Sequence, residues 1–124
     1  MAATWKDVQD IGATLPGVVE GTSYGTPALR AGKTFLTRLR HEDGSIVVKM
    51  AMDEREIKMQ AAPDIYHITE HYRAWPTVLV RLSKVSRREL KGLLERSWRE
   101  VATKKMLAAY DAAPAARRKP SDGR

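Results

Sequence analysis

Residues 86–101, with the sequence SRRELKGLLERSWREV, decide the fold of this chain. Ser86 and Glu89 have the spacing of a capping box, in which two side chains satisfy backbone N–H groups at the start of a helix. The apolar positions that follow recur every three or four residues, as one face of a helix requires; they are Leu90, Leu93, Leu94, Trp98 and Val101. The stretch therefore predicts a long helix with one buried face, and the rest of the chain must supply the surface on which it packs.

The segments before this helix have the alternation and the turn residues of β-strands. Five strands are predicted, at 28–30, 33–40, 46–50, 65–68 and 77–82. The first two flank Ala31-Gly32, and residues 42–45 form the turn before the third, so these three make a meander. We expect the helix stripe to face apolar strand residues, namely Phe35, Leu39, Val47 or Val48, and Val78 or Val80.

Two further helices complete the predicted fold. Thr4 is a helix cap ahead of an apolar stripe that Pro16-Gly17 ends, and Asp53 with Glu56 predicts a short middle helix. Helices at the start, middle and end, with strands joined by short turns, predict a single α+β domain at 1–110 with a mainly antiparallel sheet of about five strands. Residues 111–124 are rich in Ala, Pro and basic residues, which predicts a disordered basic tail.

Several classes of protein are excluded by composition. The chain has no cysteine, so it has no disulfide, no thiolate zinc ligand and no thiol nucleophile. Neither an apolar signal-peptide core nor a run of about 20 apolar residues is found, and we expect a cytoplasmic location. Paired carboxylates or a nucleophile beside a base are not recognisable, so we expect neither an enzyme nor a cofactor.

The charge is concentrated in the second part of the chain. Residues 1–72 carry 8 basic and 10 acidic residues (8 − 10 = −2), whereas residues 73–124 carry 14 and 5 (14 − 5 = +9). Such a field favours an anionic partner, and we expect weakly sequence-specific contacts to DNA phosphates. The candidate residues are Arg81, Lys84, Arg87, Arg88, Lys91 and Arg99. The competing interpretation is a solvated helix face, in which Lys91, Glu95 and Arg99 form ion pairs at a spacing of four.

An alternative function uses polar aromatic residues on the predicted loops. Such residues often line a ligand groove or an interface, and this hypothesis makes the chain a protein-interaction or small-ligand domain. Its candidate residues are Tyr24, Lys33, His71 and Trp75. The competing interpretation, which we favour from sequence, is that Tyr24 and Trp75 cover the core beneath two loops.

Two motifs have the spacing of known catalytic sites without their context. Ala31-Gly32-Lys33-Thr34 is similar to the end of a phosphate-binding loop, but Pro27 stands where the motif needs glycine and a strand follows where it needs a helix. His67 to His71 has the H-x-x-E-H spacing of some zinc peptidases, but the segment is predicted as a strand. We therefore expect no nucleotide loop and no metal site at these positions.

A set of short motifs, in order along residues 5–107, resembles the MmcQ/YjbR family. The motifs are Leu15-Pro16-Gly17-Val18, Tyr24-Gly25-Thr26-Pro27, Gly32-Lys33-Thr34-Phe35, His71-Tyr72-Arg73-Ala74-Trp75 and Glu95-Arg96-Ser97-Trp98. Each motif is weak alone, and their combined register carries the resemblance. The resemblance implies a compact α+β fold and DNA binding through a double-wing arrangement.

Overall fold

A computed structural model describes residues 3–112 and confirms the α+β fold. Within these residues the chain forms one antiparallel sheet of six strands, where about five were predicted, and four α-helices. The strands are β1 (Val18–Ser23), β2 (Thr26–Ala31), β3 (Thr34–Arg40), β4 (Ser45–Lys49), β5 (Tyr66–His67) and β6 (Thr77–Arg81). The helices are α1 (Trp5–Gly12), α2 (Met52–Ala61), α3 (Arg87–Val101) and α4 (Lys104–Asp111), with a 3-10 helix at Glu70–Tyr72. The predicted tail falls almost entirely on residues 113–124, which lie outside the described part.

The core lies between one face of the sheet and helices α1, α3 and α4. The strand order is β1-β2-β3-β4-β6-β5. The predicted stripe of α3 is buried at Leu90, Leu93, Leu94 and Trp98, and it belongs to the same apolar cluster as Val48, Val78 and Val80. Burying side chains of this size is the dominant stabilising contribution in a domain of this length.

A β-bulge in β3 makes one of the predicted core contacts wrong. Leu29 pairs with Thr37 and its neighbour Arg30 pairs with Phe35, so Leu36 is an extra residue without a partner on β2. An extra residue shifts the alternation of side chains between the two faces. Leu36 consequently enters the core, whereas Phe35, predicted to face the helix, lines a pocket on the opposite face.

Strand β1 was not among the five predicted strands, and it forms an edge of the sheet. It pairs with β2 from Val18↔Ala31 to Ser23↔Thr26. Four of its six residues are exposed, so it has no alternation by which the sequence could have identified it. The connecting turn has positive φ at Tyr24 (54°) and Gly25 (76°), the conformation that a two-residue hairpin favours.

The helix starts follow the sequence in two cases and differ from it in two. Thr4 forms the expected cap of α1 in a capping box with Asp7, and Ser86 caps α3 by accepting a hydrogen bond from the Glu89 N–H (3.1 Å). The predicted box at α3 is only half formed, because the Glu89 carboxylate accepts a hydrogen bond from the Tyr66 hydroxyl and not from the Ser86 N–H. Helix α2 begins at Met52 with no side-chain cap, so the predicted Asp53 box is wrong. Helix α4 was not predicted as a separate element; the chain is extended at Ala102, and a new helix begins after it.

The lengths and compositions of the helices also bear on membrane insertion. None of the helices within residues 3–112 is both long enough and apolar enough to cross a membrane.

Candidate functional site

The sheet face turned away from the core helices holds a pocket of about 650 Å³. Its floor is formed by Phe35 of β3 and Val47 of β4, and the segment that follows the 3-10 helix forms one wall. Val47 pairs across the sheet with Leu79 of β6, and both side chains are buried. The alternation of side chains along a strand places both of them on the sheet face away from α3. The open face of this sheet is therefore apolar at its centre, where a solvated face would be polar. We call this cavity the open-face pocket.

Three cationic side chains line the open-face pocket. Arg30 lies on β2, Arg38 on β3 and Lys49 on β4, and the pocket lining taken from the described residues contains no Asp or Glu. Arg38 donates to the Thr26 hydroxyl (3.3 Å) and to the Tyr72 hydroxyl (3.2 Å). The guanidinium of Arg38 is thus positioned by neutral groups and has no carboxylate within ion-pair distance among the described residues.

Aromatic side chains form the rim of the pocket. Tyr24 is 89% exposed and Trp75 is 60% exposed, and both line the pocket beside the perpendicular ring pair of His71 and Tyr72 (centroids 4.8 Å apart). The Arg38 guanidinium lies over the Tyr24 ring at 5.2 Å from its centroid. The prediction that Tyr24 and Trp75 cover the core is therefore wrong, since both rings lie on the other face of the sheet.

Tyr24 is held at the rim by an unusual backbone conformation. Within the described residues it is the one residue other than glycine with a positive φ. A side chain in that region costs conformational energy, and such outliers occur often at functional sites. The turn thereby directs a largely exposed ring to the pocket mouth, at a position where Asn or Gly is the usual residue.

The wall that carries His71 and Trp75 is fixed by Arg55 of α2. Arg55 is only 4% exposed, and its guanidinium donates to four carbonyl oxygens of one segment. The acceptors are Tyr72 (3.2 Å), Arg73 (3.0 Å), Trp75 (2.8 Å) and Thr77 (3.0 Å). A charged donor to several carbonyls fixes the course of a segment that has little regular structure of its own.

Sequence reasoning missed Arg55 because it looks like a solvated charge on a short polar helix. The neighbouring Ile57, which the sequence placed within the same helix, is 67% exposed, and Arg55 is the buried residue of α2. The sequence contains a weak indication of a buried polar residue in this helix. Helix α2 has no consistent apolar stripe, so the face that it buries had to include a polar residue.

The predicted phosphate-binding residues do not form one unit. Arg81 donates to the carbonyls of Pro63 and Asp64, Arg87 pairs with Asp7 at 3.0 Å, and Arg99 pairs with Glu95 and Asp111. The side chains of the remaining three candidates, Lys84, Arg88 and Lys91, are solvent-exposed or half-exposed and have no hydrogen bond or ion pair to another described residue. The predicted pairing of Glu95 with Arg99 is present at 3.5 Å.

The predicted ligand residues are divided between the pocket and a distant turn. Tyr24, His71 and Trp75 converge on the open-face pocket, whereas Lys33 is exposed on the turn between β2 and β3 and does not line it. The structure adds Arg30, Arg38 and Lys49, which sequence reasoning did not select. All three residues lie on strands and point to the sheet face away from the core. The sequence did not reveal this shared face, because the bulge in β3 shifts the alternation of side chains.

His67 and His71 of the H-x-x-E-H spacing lie at different places. His67 ends β5, with its Nε2 3.1 Å from an Asp43 carboxylate oxygen that also pairs with Arg40 (2.8 Å), while His71 lies in the 3-10 helix. Burial opposes ionisation of Asp43, but the hydrogen bonds from His67 and Ser45 with the charge of Arg40 outweigh it and lower the pKa of this carboxyl. Within residues 3–112, no group of three or more potential metal ligands was found.

Comparison with known proteins identifies the family. The family model YjbR matches residues 13–100 of the chain. The chain belongs to the YjbR family. This match includes β1, the pocket strands β2 to β4 and α3, so the open-face pocket lies within the family's shared region.

Relatives and a solved structure support the same fold. Uncharacterized protein Rv2570 of Mycobacterium tuberculosis and uncharacterized protein Mb2600 of Mycobacterium bovis are each 29% identical over 123 residues, covering 87% of this chain and 95% of the relative. The crystal structure of Deinococcus radiodurans protein DR2400, family-model domain DUF419, is similar with a TM-score of 0.70 at 21% identity, covering 98% of this chain and 89% of that one. At that identity the likeness shows the fold alone.

Proposed function

We propose that this YjbR-family chain binds a small organic molecule in the open-face pocket. The observation that carries the proposal is the convergence of Tyr24 and Trp75, both largely exposed, on a concave apolar surface away from the core. Large aromatic rings left in water at a concave site are typical of ligand pockets. The volume of about 650 Å³ lies within the roughly 300–1,000 Å³ usual for small-molecule sites.

The contacts around the pocket favour a preformed site. Arg55 fixes the wall segment through four carbonyl oxygens, and the Tyr72 hydroxyl ties that wall to Arg38 on the floor strand β3. A site already ordered before binding loses less conformational entropy when the ligand arrives. The proposed role is binding without a chemical step, because the pocket lining within residues 3–112 supplies cations and aromatic rings and no recognisable nucleophile hydrogen-bonded to a base.

A fragment screen on the full chain tests this proposal. Saturation-transfer NMR against a library of small aromatic and aliphatic fragments should give a set of hits that disappears in Trp75→Ala. The matched control is Ile57→Ala, which removes an equally exposed apolar side chain from α2, away from the pocket. We expect I57A to retain the hits. Identical hits for the wild type and W75A would contradict binding in the open-face pocket.

A second candidate function is DNA binding. The family resemblance implied it, together with a double-wing arrangement. We propose a cytoplasmic location along with this function. Three basic side chains favour it, those of Lys84, Arg88 and Lys91, because they have no hydrogen-bond or ion-pair partner among the described residues. The other three predicted phosphate-binding residues, Arg81, Arg87 and Arg99, are engaged by backbone carbonyls or carboxylates. Free cations beside a helix start suit phosphate contacts, with affinity from counterion release.

The second candidate is tested by the salt dependence of binding to duplex DNA. Replacing Lys84, Arg88 and Lys91 by Gln in the full chain should flatten the slope of log affinity against log salt by about one unit for each lost phosphate contact. The control replaces Arg117, Arg118 and Lys119, which carry the same charge outside the described residues. If only the control changes the slope, the folded domain makes no phosphate contacts.

A further inference from the structure

We infer that the ligand of the open-face pocket is a planar aromatic molecule carrying a carboxylate or phosphate group. This inference rests on the proposed function and names the chemical class that the pocket selects. Three features carry it: the uncompensated cations, an unpartnered hydroxyl beside one of them, and the aromatic rim.

The charge of the pocket requires an anion. Five arginines of the described chain have carboxylate partners; these are Arg40, Arg73, Arg87, Arg96 and Arg99. The two arginines that line the pocket, Arg30 and Arg38, have none among the described residues and hydrogen-bond to neutral oxygens, those of the Thr22 carbonyl, the Thr26 hydroxyl and the Tyr72 hydroxyl. Two guanidinium groups left without a carboxylate beside an apolar floor are best satisfied by an anionic ligand group.

The anionic group is assigned to the side of the pocket that contains Lys49. The Lys49 ammonium has no hydrogen-bond partner among the described residues, and Lys49 pairs across the sheet with Thr77. Thr77 lines this side of the pocket, and its hydroxyl, which is buried in the wall, has no hydrogen-bond partner among the described residues. On the other side, Glu42 lines an adjoining depression of about 290 Å³ with Arg38 and Tyr24, and its carboxylate repels an anion there.

The rim and floor select a planar ring. Trp75, Phe35 and Tyr24 line the same cavity, and aromatic rings gain from offset stacking or edge contacts with a second ring. An aliphatic anion of the same size would satisfy the cations but not these rings. The combination therefore distinguishes the ligand from a simple inorganic anion.

Isothermal titration calorimetry with matched probes tests the class. The probes are 2-naphthoate and 2-naphthyl phosphate, the neutral 2-naphthamide, and cyclohexanecarboxylate, which is anionic without an aromatic ring. We expect at least one naphthyl anion to bind ten-fold or more tightly than either 2-naphthamide or cyclohexanecarboxylate. The two naphthyl anions together show whether the pocket prefers carboxylate or phosphate.

Matched variants locate the anion. Lys49→Gln should weaken binding of the preferred naphthyl anion about ten-fold and leave 2-naphthamide unchanged. The control Lys91→Gln makes the same change in net charge on the exposed face of α3 and should leave both affinities unchanged. An effect of K91Q equal to that of K49Q would mean that only the general field of the protein attracts the anion, and the assigned site would be wrong.

The outcomes separate this inference from the proposed function. If 2-naphthamide binds as tightly as the anions, and W75A abolishes both, the pocket binds ligands but the anion requirement is refuted. If none of the probes binds while the fragment screen still gives hits that depend on Trp75, the aromatic-anion class is refuted and the pocket remains. If the hits do not depend on Trp75, the proposed function itself fails.

Discussion

Replacing Arg55 by Met should destabilise the domain and loosen the wall of the open-face pocket. The guanidinium donates four hydrogen bonds to carbonyls of residues 72–77 at 2.8–3.2 Å and is almost fully buried. Hydrogen bonds that involve a charged group contribute roughly 1.5–3 kcal/mol each, so four give an upper limit of about 6–12 kcal/mol. Removing a buried charge that has no carboxylate partner recovers a desolvation cost of several kcal/mol. We expect a net loss of about 2–5 kcal/mol in the free energy of unfolding.

Urea denaturation monitored by circular dichroism measures the first effect. Acrylamide quenching of the tryptophan fluorescence of the native protein measures the second, because Trp75 is the most exposed of the three tryptophans. The control is Arg96→Met, which removes an exposed arginine paired with Glu54 on the surface and should cost less than about 1 kcal/mol. Arg55→Lys should fall between wild type and R55M, because one ammonium retains the charge but cannot reach four carbonyls in the geometry of the guanidinium fork. A loss below about 0.5 kcal/mol for R55M, with unchanged quenching, would refute the role assigned to Arg55.

Three further predictions concern the core, a carboxylate and a glycine. Leu94→Ala should cost about 2–5 kcal/mol in urea denaturation, because Leu94 is fully buried, and a loss below about 0.5 kcal/mol would mean that the helix is peripheral. Asp43 has a lowered pKa because hydrogen bonds, including that from His67, outweigh the effect of its burial. Its ionised carboxylate therefore stabilises the folded state above the pKa of an unfolded Asp, about 3.9, and this stabilisation is lost as the pH falls through the folded pKa. Asp43→Asn should therefore reduce stability at pH 7 and flatten its decline below about pH 4; a parallel decline in both proteins would contradict this. Gly17→Ala should cost about 1–3 kcal/mol in thermal unfolding, since φ is +78° and the new Cβ would lie 2.5 Å from Met106, and an unchanged melting temperature would show that the turn adopts another conformation.

The elements that the sequence predicted well have strong local signals. Helix α3 combines the Ser86 cap with an apolar stripe, and its start is as expected. Strands β3, β4 and β6 have alternation and turn residues around them, and the family model confirms the resemblance drawn from the motifs. Strand β1 was missed because an exposed edge strand buries almost nothing and so leaves no alternation in the sequence.

The pocket was predicted only in part because its residues come together through tertiary structure. Tyr24, His71 and Trp75 were selected as loop aromatics, but their common location depends on a hairpin turn and on a wall segment fixed by Arg55. Arg38 reaches the same cavity as Phe35 only because of the bulge at Leu36, and no local pattern marks that extra residue. The predicted basic cluster shows the opposite case, since its charges are close in sequence but three of them, Arg81, Arg87 and Arg99, are engaged by other groups of the domain.

The central claim is that the open face of the sheet, and not the basic surface of α3, holds the ligand site. A ¹H–¹⁵N correlation NMR titration of the full chain with 2-naphthoate tests it most directly. We expect saturable shifts at the Trp75 indole and at the amides of Phe35, Val47 and Thr77, with little change at Arg88 and Lys91. Shifts confined to Arg88, Lys91 and their neighbours, or no saturable shift at the four pocket residues, would contradict the claim.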